Sequence, residues 1–115
     1  MNNYVVEISK KFFDSIEKKE QAYIILVNNS KVRDYHVGNI LTIKNKEDTE
    51  QNFEAEVINL LYFDEINDIF GMVKKKDLGF SERNTNDQVE DKLLENVKYE
   101  DVEKYGVVMV EIKKK

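Results

Sequence analysis

At 115 residues the chain has room for one domain, expected to span 1–115, and its 41% hydrophobic content suffices for a modest core, which excludes disorder from apolar poverty. Cys is absent and His occurs once, which excludes disulfides, thiolate chemistry and the usual zinc sites; neither a metal nor a cofactor is expected. The net charge of −5 runs against the basic balance of a typical nucleic-acid binder, no apolar run reaches the ~20 residues that span a bilayer, and a cytoplasmic protein without membrane contact is expected.

Pro is missing and Gly occurs four times, so periodicity must place the elements. Tyr4–Ile8 is rich in β-formers, and Ser9 stands where a helix N-cap would. Phe12, Phe13 and Ile16 recur at helical spacing before the charged run 17–20. Residues 22–27, Ala-Tyr-Ile-Ile-Leu-Val, form a continuous apolar run whose length suits a buried strand better than a helix. Asn28-Asn29-Ser30 ends it with turn-tolerant residues, and Gly38 marks a second turn. A strand is expected over 40–44, then a polar loop over 45–52. A longer strand over 53–62 follows, in which Phe53, Ala55 and Val57 alternate with Glu54 and Glu56. Short helices are expected around Ile66, Ile69 and Phe70 and over 72–78, the latter closed by Gly79. A loop over 81–87 leads to a helical face of Val89, Leu93, Leu94 and Val97, and 101–105 reads as another helical turn. A last strand, 107–112, precedes a lysine tail, 113–115, expected to be disordered.

Three stretches carry a family likeness when taken together: Phe13-Asp14-Ser15-Ile16, then Tyr35 to Leu41 with Val37-Gly38-Asn39 at its centre, then Lys104 to Ile112 beginning Lys-Tyr-Gly-Val. The segment from Val57 to Ser81, with Phe63 and Leu78-Gly79-Phe80, fits the same order. In this order and spacing the chain resembles the ASCH-domain family of the PUA-like superfamily over nearly its whole length. The resemblance implies an α+β fold: a small, mixed but mainly antiparallel β-barrel with flanking short helices and a cleft on one side. It also implies a ligand class of RNA or nucleotides, and for some members hydrolysis of the acetyl amide of N(4)-acetylcytidine.

The family's signature after the first helix reads roughly Gly-x-Lys-x-x-Glu-x-Arg. A lysine beside a carboxylate can serve as base or charge stabiliser, and an arginine offers a planar fork for phosphate. Here the Gly position holds Lys19, the Lys position Gln21, the Glu position Ile24 and the Arg position Leu26. Asn39 stands where the family's Val-Gly-Asp has its Asp. A one-residue shift would bring Glu20 into the Lys position, which restores nothing. With every ionisable member of the signature replaced, no catalytic residue is expected. The cleft has either filled with side chains or turned to an apolar or protein ligand.

Lys31, Arg33 and His36 lie close in sequence and can form a cationic lip at the cleft mouth, while the run Lys74–Lys76 reads as solubilising. Most aromatics, Tyr23 among them, fall at core positions. The candidate ligand-binding set is Lys19, Gln21, Lys31, Arg33, His36 and Asn39. The expected function is a non-catalytic binding module for RNA or a nucleotide-type ligand. A second reading is an interaction or inhibitory module that meets a basic protein partner through 47–68, which carries eight carboxylates and no Lys or Arg. An amidohydrolase is the remote third.

Overall fold

The structure, a computed structural model, describes residues 3–78, 80–94 and 97–115. Five strands form one sheet in the order β1-β3-β4-β5-β2: β1 (Asn3–Ile8), β2 (Gln21–Val27), β3 (Ile40–Asn45), β4 (Asp48–Phe63) and β5 (Val107–Lys114). The β1–β3 pair is parallel, and the other three pairs are antiparallel. Helix α1 (Lys10–Glu17) joins β1 to β2, while α2 (Asn86–Leu94) and α3 (Tyr99–Tyr105) precede β5.

The apolar runs of β2 and β5 have a direct cause. Both strands are covered on both faces, so alternation is lost and every residue from Val107 to Val110 is buried. On one face Ala22, Ile24, Leu41, Ile43, Ala55, Val57, Val108 and Val110 pack with Phe13 and Ile16 of α1. On the other, Ile25, Val27, Val107 and Met109 pack under Ile66, Ile69, Val89, Leu93 and Val102. The α1 helix starts where Ser9 is extended and its carbonyl accepts the Phe13 N–H at 2.9 Å. That start turns Phe13 inward, where its ring centroid lies 5.6 Å from that of Phe53.

The expected barrel is not closed. Among the described residues β1 and β2 are the two ends of the sheet, each paired along one edge only. The α1 helix packs against β2 and β3 and sends Phe13 and Ile16 into the core they share, so a helix and not a β1–β2 ladder covers this core.

Three local expectations also change. The polar stretch 45–52 is not a loop but a tight hairpin, with Asn45 opposite Asp48. Asn45 is buried; its amide donates to Gln51 Oε1 and its Oδ1 accepts the Glu47 N–H, both at 3.0 Å, so one side chain closes the turn. The helices expected around Ile66 and over 72–78 are shorter 3-10 turns, Ile66–Gly71 and Lys75–Leu78; Glu65 and Asp68 cap the first reciprocally. Gly79, read as closing the second, lies outside the described residues. Finally, the last strand runs into the lysine tail: Lys113 and Lys114 belong to β5, and the Lys115 N–H donates to Glu54 O at 3.0 Å. Pairing on both sides, with β4 and with β2, holds this end of the chain.

Candidate functional site

β2 sorts its residues by face. Gln21 and Tyr23 lie on one side of the sheet, and Ile24, three residues beyond Gln21, lies on the other. Ile24 is 4% exposed opposite Val110, and Leu26 packs half-buried into the same core. The two positions at which the resemblance would place an acid and an arginine are therefore filled with hydrocarbon. Behind Tyr23 only a small apolar void of about 20 Å³ remains, between Phe12, Ile16, Ile24, Ile25 and Leu93. That is space for about one water-sized sphere.

The other face is open. Lys19, Gln21, Ala22 and Tyr23 line a hollow of about 320 Å³ together with Lys76 and Asp77 of the Lys75–Leu78 turn and Glu111 of β5. Tyr23 and Glu111 are register partners, so they stand side by side on the sheet. Burial raises the Tyr23 hydroxyl above its ordinary pKa, and the Glu111 and Asp77 carboxylates push it the same way. The hollow thus offers an amide that can donate and accept, a phenol held neutral, two ammonium groups and two carboxylates. Chemically, such a set can hydrogen-bond to a polar group and pair with charges of either sign.

Of the six candidate residues, the structure brings two, Lys19 and Gln21, to this hollow. Lys31 and Arg33 lie beyond the far end of β2, about 20 Å away at roughly 3.3 Å per residue. Arg33 Nε donates to the Asn28 carbonyl at 3.0 Å, and the guanidinium sits 6.0 Å from the Tyr105 ring centroid. His36 is exposed in its own turn, where its N–H donates to Asn39 Oδ1 at 2.7 Å. Asn39 is committed to that turn through its side chain and through its carbonyl, which accepts the Val57 N–H at 2.9 Å. The cationic lip is not assembled around the hollow. Sequence reasoning missed Tyr23, Lys76, Asp77 and Glu111; a phenol at the open end of an apolar run was the one available signal.

The acidic stretch is divided as well. Glu47, Asp48 and Glu50 sit at the β3–β4 hairpin and Asp64, Glu65 and Asp68 beyond the opposite end of β4. They do not form one surface. Among the described residues no cluster of three or more His, Asp or Glu is placed to hold a metal ion, and no helix is long and apolar enough to cross a membrane.

Fold and site define a class: a small α+β domain with an open, mostly antiparallel five-stranded sheet, short flanking helices and a polar hollow at one edge. No family model and no curated protein matches the chain. Solved structures share the fold. The hypothetical protein PH0355 superposes with a TM-score of 0.77 at 13% identity, covering 99% of this chain and 100% of that one. Protein PF0455 from Pyrococcus furiosus, solved by NMR, superposes at 0.65 with 14% identity over 98% and 97%. At such identities the likeness establishes the fold alone.

Proposed function

We propose that the chain is a cytoplasmic, non-catalytic binding module of the PUA-like ASCH type that takes RNA or a nucleotide-type ligand in the hollow at the start of β2. One observation carries this reading. The signature strand is split between a plugged inner face at Ile24 and an open polar face at Gln21, which leaves recognition groups without the acid and arginine of the family pattern. Gln21 is suited to a base edge, and Lys19 and Lys76 to phosphate. The acidic balance of the rest of the chain limits affinity for long polyanions and favours a short segment.

The test is a titration with short single-stranded RNA and with nucleoside monophosphates at low salt. If both lysines contact phosphate, the logarithm of the association constant for RNA falls with the logarithm of salt concentration at a slope of about −1.4. Gln21→Ala weakens binding several-fold. Absence of binding at low salt, or binding indifferent to Gln21 and Lys19, overturns the reading; turnover of N(4)-acetylcytidine overturns its non-catalytic part.

A further inference from the structure

Large apolar side chains are exposed at five places among the described residues, and three of them gather at one end of the molecule. Tyr62 (55% exposed) and Met72 (60%) border a shallow hollow of about 440 Å³. Tyr99 (56%) borders a deeper groove of about 730 Å³ between the Ile66–Gly71 turn, α2 and α3. Asp64 lines both, which makes them neighbouring parts of one surface.

The charge on this surface is one-sided. Asp64, Glu65, Glu90 and Glu103 line the groove against Lys104, whose ammonium lies 5.1 Å from the Tyr105 ring centroid, with the Arg33 guanidinium 6.0 Å from the same ring. Asp68 adds a further carboxylate at the apolar hollow. The groove carboxylates converge from separate elements. Tyr99 holds its phenolic proton above the ordinary range, chiefly through its hydrogen bond to Glu103 and the negative charge of Glu103, with Glu65 and Glu90 adding to it.

From this juxtaposition we propose that the 62–72 and 99–106 surface is a docking site for a Lys/Arg-rich segment of another protein that carries one large apolar anchor. The anchor seats between Tyr62 and Met72, residue types that adapt to apolar partners and are enriched at interface cores. The flanking cations reach the carboxylates and the faces of the exposed tyrosines. The occupant is fixed by complementarity. Phosphate-bearing polymers are repelled here, and a bare polycation would leave the apolar end uncovered. The site lies apart from the hollow at Gln21 and does not depend on what that hollow binds.

The experiment follows the fluorescence anisotropy of a short labelled peptide of Arg and Ser with one central Leu, added to the full chain at low salt. Saturable binding is expected, weakened about tenfold by the pair Asp64→Lys and Glu103→Lys, since two exposed ion pairs turn repulsive. Tyr62→Ser, which removes an exposed ring, weakens it by a similar factor, as does replacing the central Leu of the peptide with Ser. The pair Glu47→Lys and Glu50→Lys, an equal change of net charge at the hairpin, leaves binding unchanged. The proposal is overturned by any of four results: no binding, equal binding of the peptide without its anchor, equal weakening by the hairpin pair, or self-association of the chain abolished by Asp64→Lys with Glu103→Lys.

Discussion

The plugged wall of β2 can be tested by putting back the acid that the family pattern would hold there. Ile24→Glu removes a buried side chain worth about 1.5–3 kcal/mol and inserts a carboxyl group with no partner among Val110, Leu41 and their neighbours, which costs roughly 1–3 kcal/mol even when protonated. Above the ordinary glutamate pKa of about 4.3 the fold must also hold that proton, at about 1.4 kcal/mol per pH unit. At pH 7 the added cost reaches up to about 4 kcal/mol. The total is then about 6–10 kcal/mol, against a whole-domain stability on the order of 6–17 kcal/mol. The folded-state pKa of the new acid is raised, so the stability it leaves is fully present below about pH 4.3 and is lost as pH rises through the raised value. Urea unfolding of the native chain and the variant from about pH 4 to about pH 8 measures the difference directly. We expect a gap that widens with pH. A gap that stays below about 1 kcal/mol and flat across that range would mean that the new carboxylate reaches water, and that the cleft is open where we describe it as filled.

Phe13→Ala empties the space beneath α1 and should lower stability by about 3–5 kcal/mol in chemical denaturation; a loss under 1 kcal/mol would show that α1 does not close the inner core. Gly106 has φ 76° and ψ −174°, a conformation open to glycine, and a Cβ there would stand 2.8 Å from the Phe63 carbonyl oxygen. Gly106→Ala should therefore cost about 1–3 kcal/mol from the backbone conformation and more from the contact, while Gly71→Ala, with nothing nearby, stays within about 0.5 kcal/mol. Tyr35 is 2% exposed, and burial, helped by Tyr4, raises its hydroxyl pKa. Its contribution is intact below the unfolded-state value of about 10 and is lost as pH rises from there through the raised folded value. Alkaline unfolding curves should show that loss, and Tyr35→Phe should flatten it.

What could be read from the chain alone follows from local physics. The apolar runs of β2 and β5, the helical spacing of Phe12, Phe13 and Ile16, and the alternation from Phe53 to Val57 each declare themselves within a few residues. The hairpin at Asn45 did not, because its strands project past the core and expose Asp48 to Asn52, leaving no buried face to set a period. The bulge in β4 also hid. Val57 faces Ile112 and Asn59 faces Glu111, so Ile58 is extra, and the inward parity passes from Val57 to Leu60. Part of the hollow was legible for the same reason: Lys19 and Gln21 sit beside a recognisable helix end. Tyr23 meets Glu111 only through a register set 88 residues away in the chain, and Lys76 and Asp77 arrive on a turn that carries no periodic signal. Closure of the sheet was misread because resemblance describes strands and says little about what fills the seam between the first two.

The sheet order has a consequence for how the molecule comes into being. β5 is the last of the five strands to leave the ribosome, yet it lies inside the sheet and stitches β4 to β2. Until residues 107–114 emerge, both of those strands carry a raw hydrogen-bonding border. Assembly must wait for a partner far along the sequence, a long-range closure that slows folding. A chain halted before Val107 therefore leaves β2 without the one strand that pairs with it among the described residues.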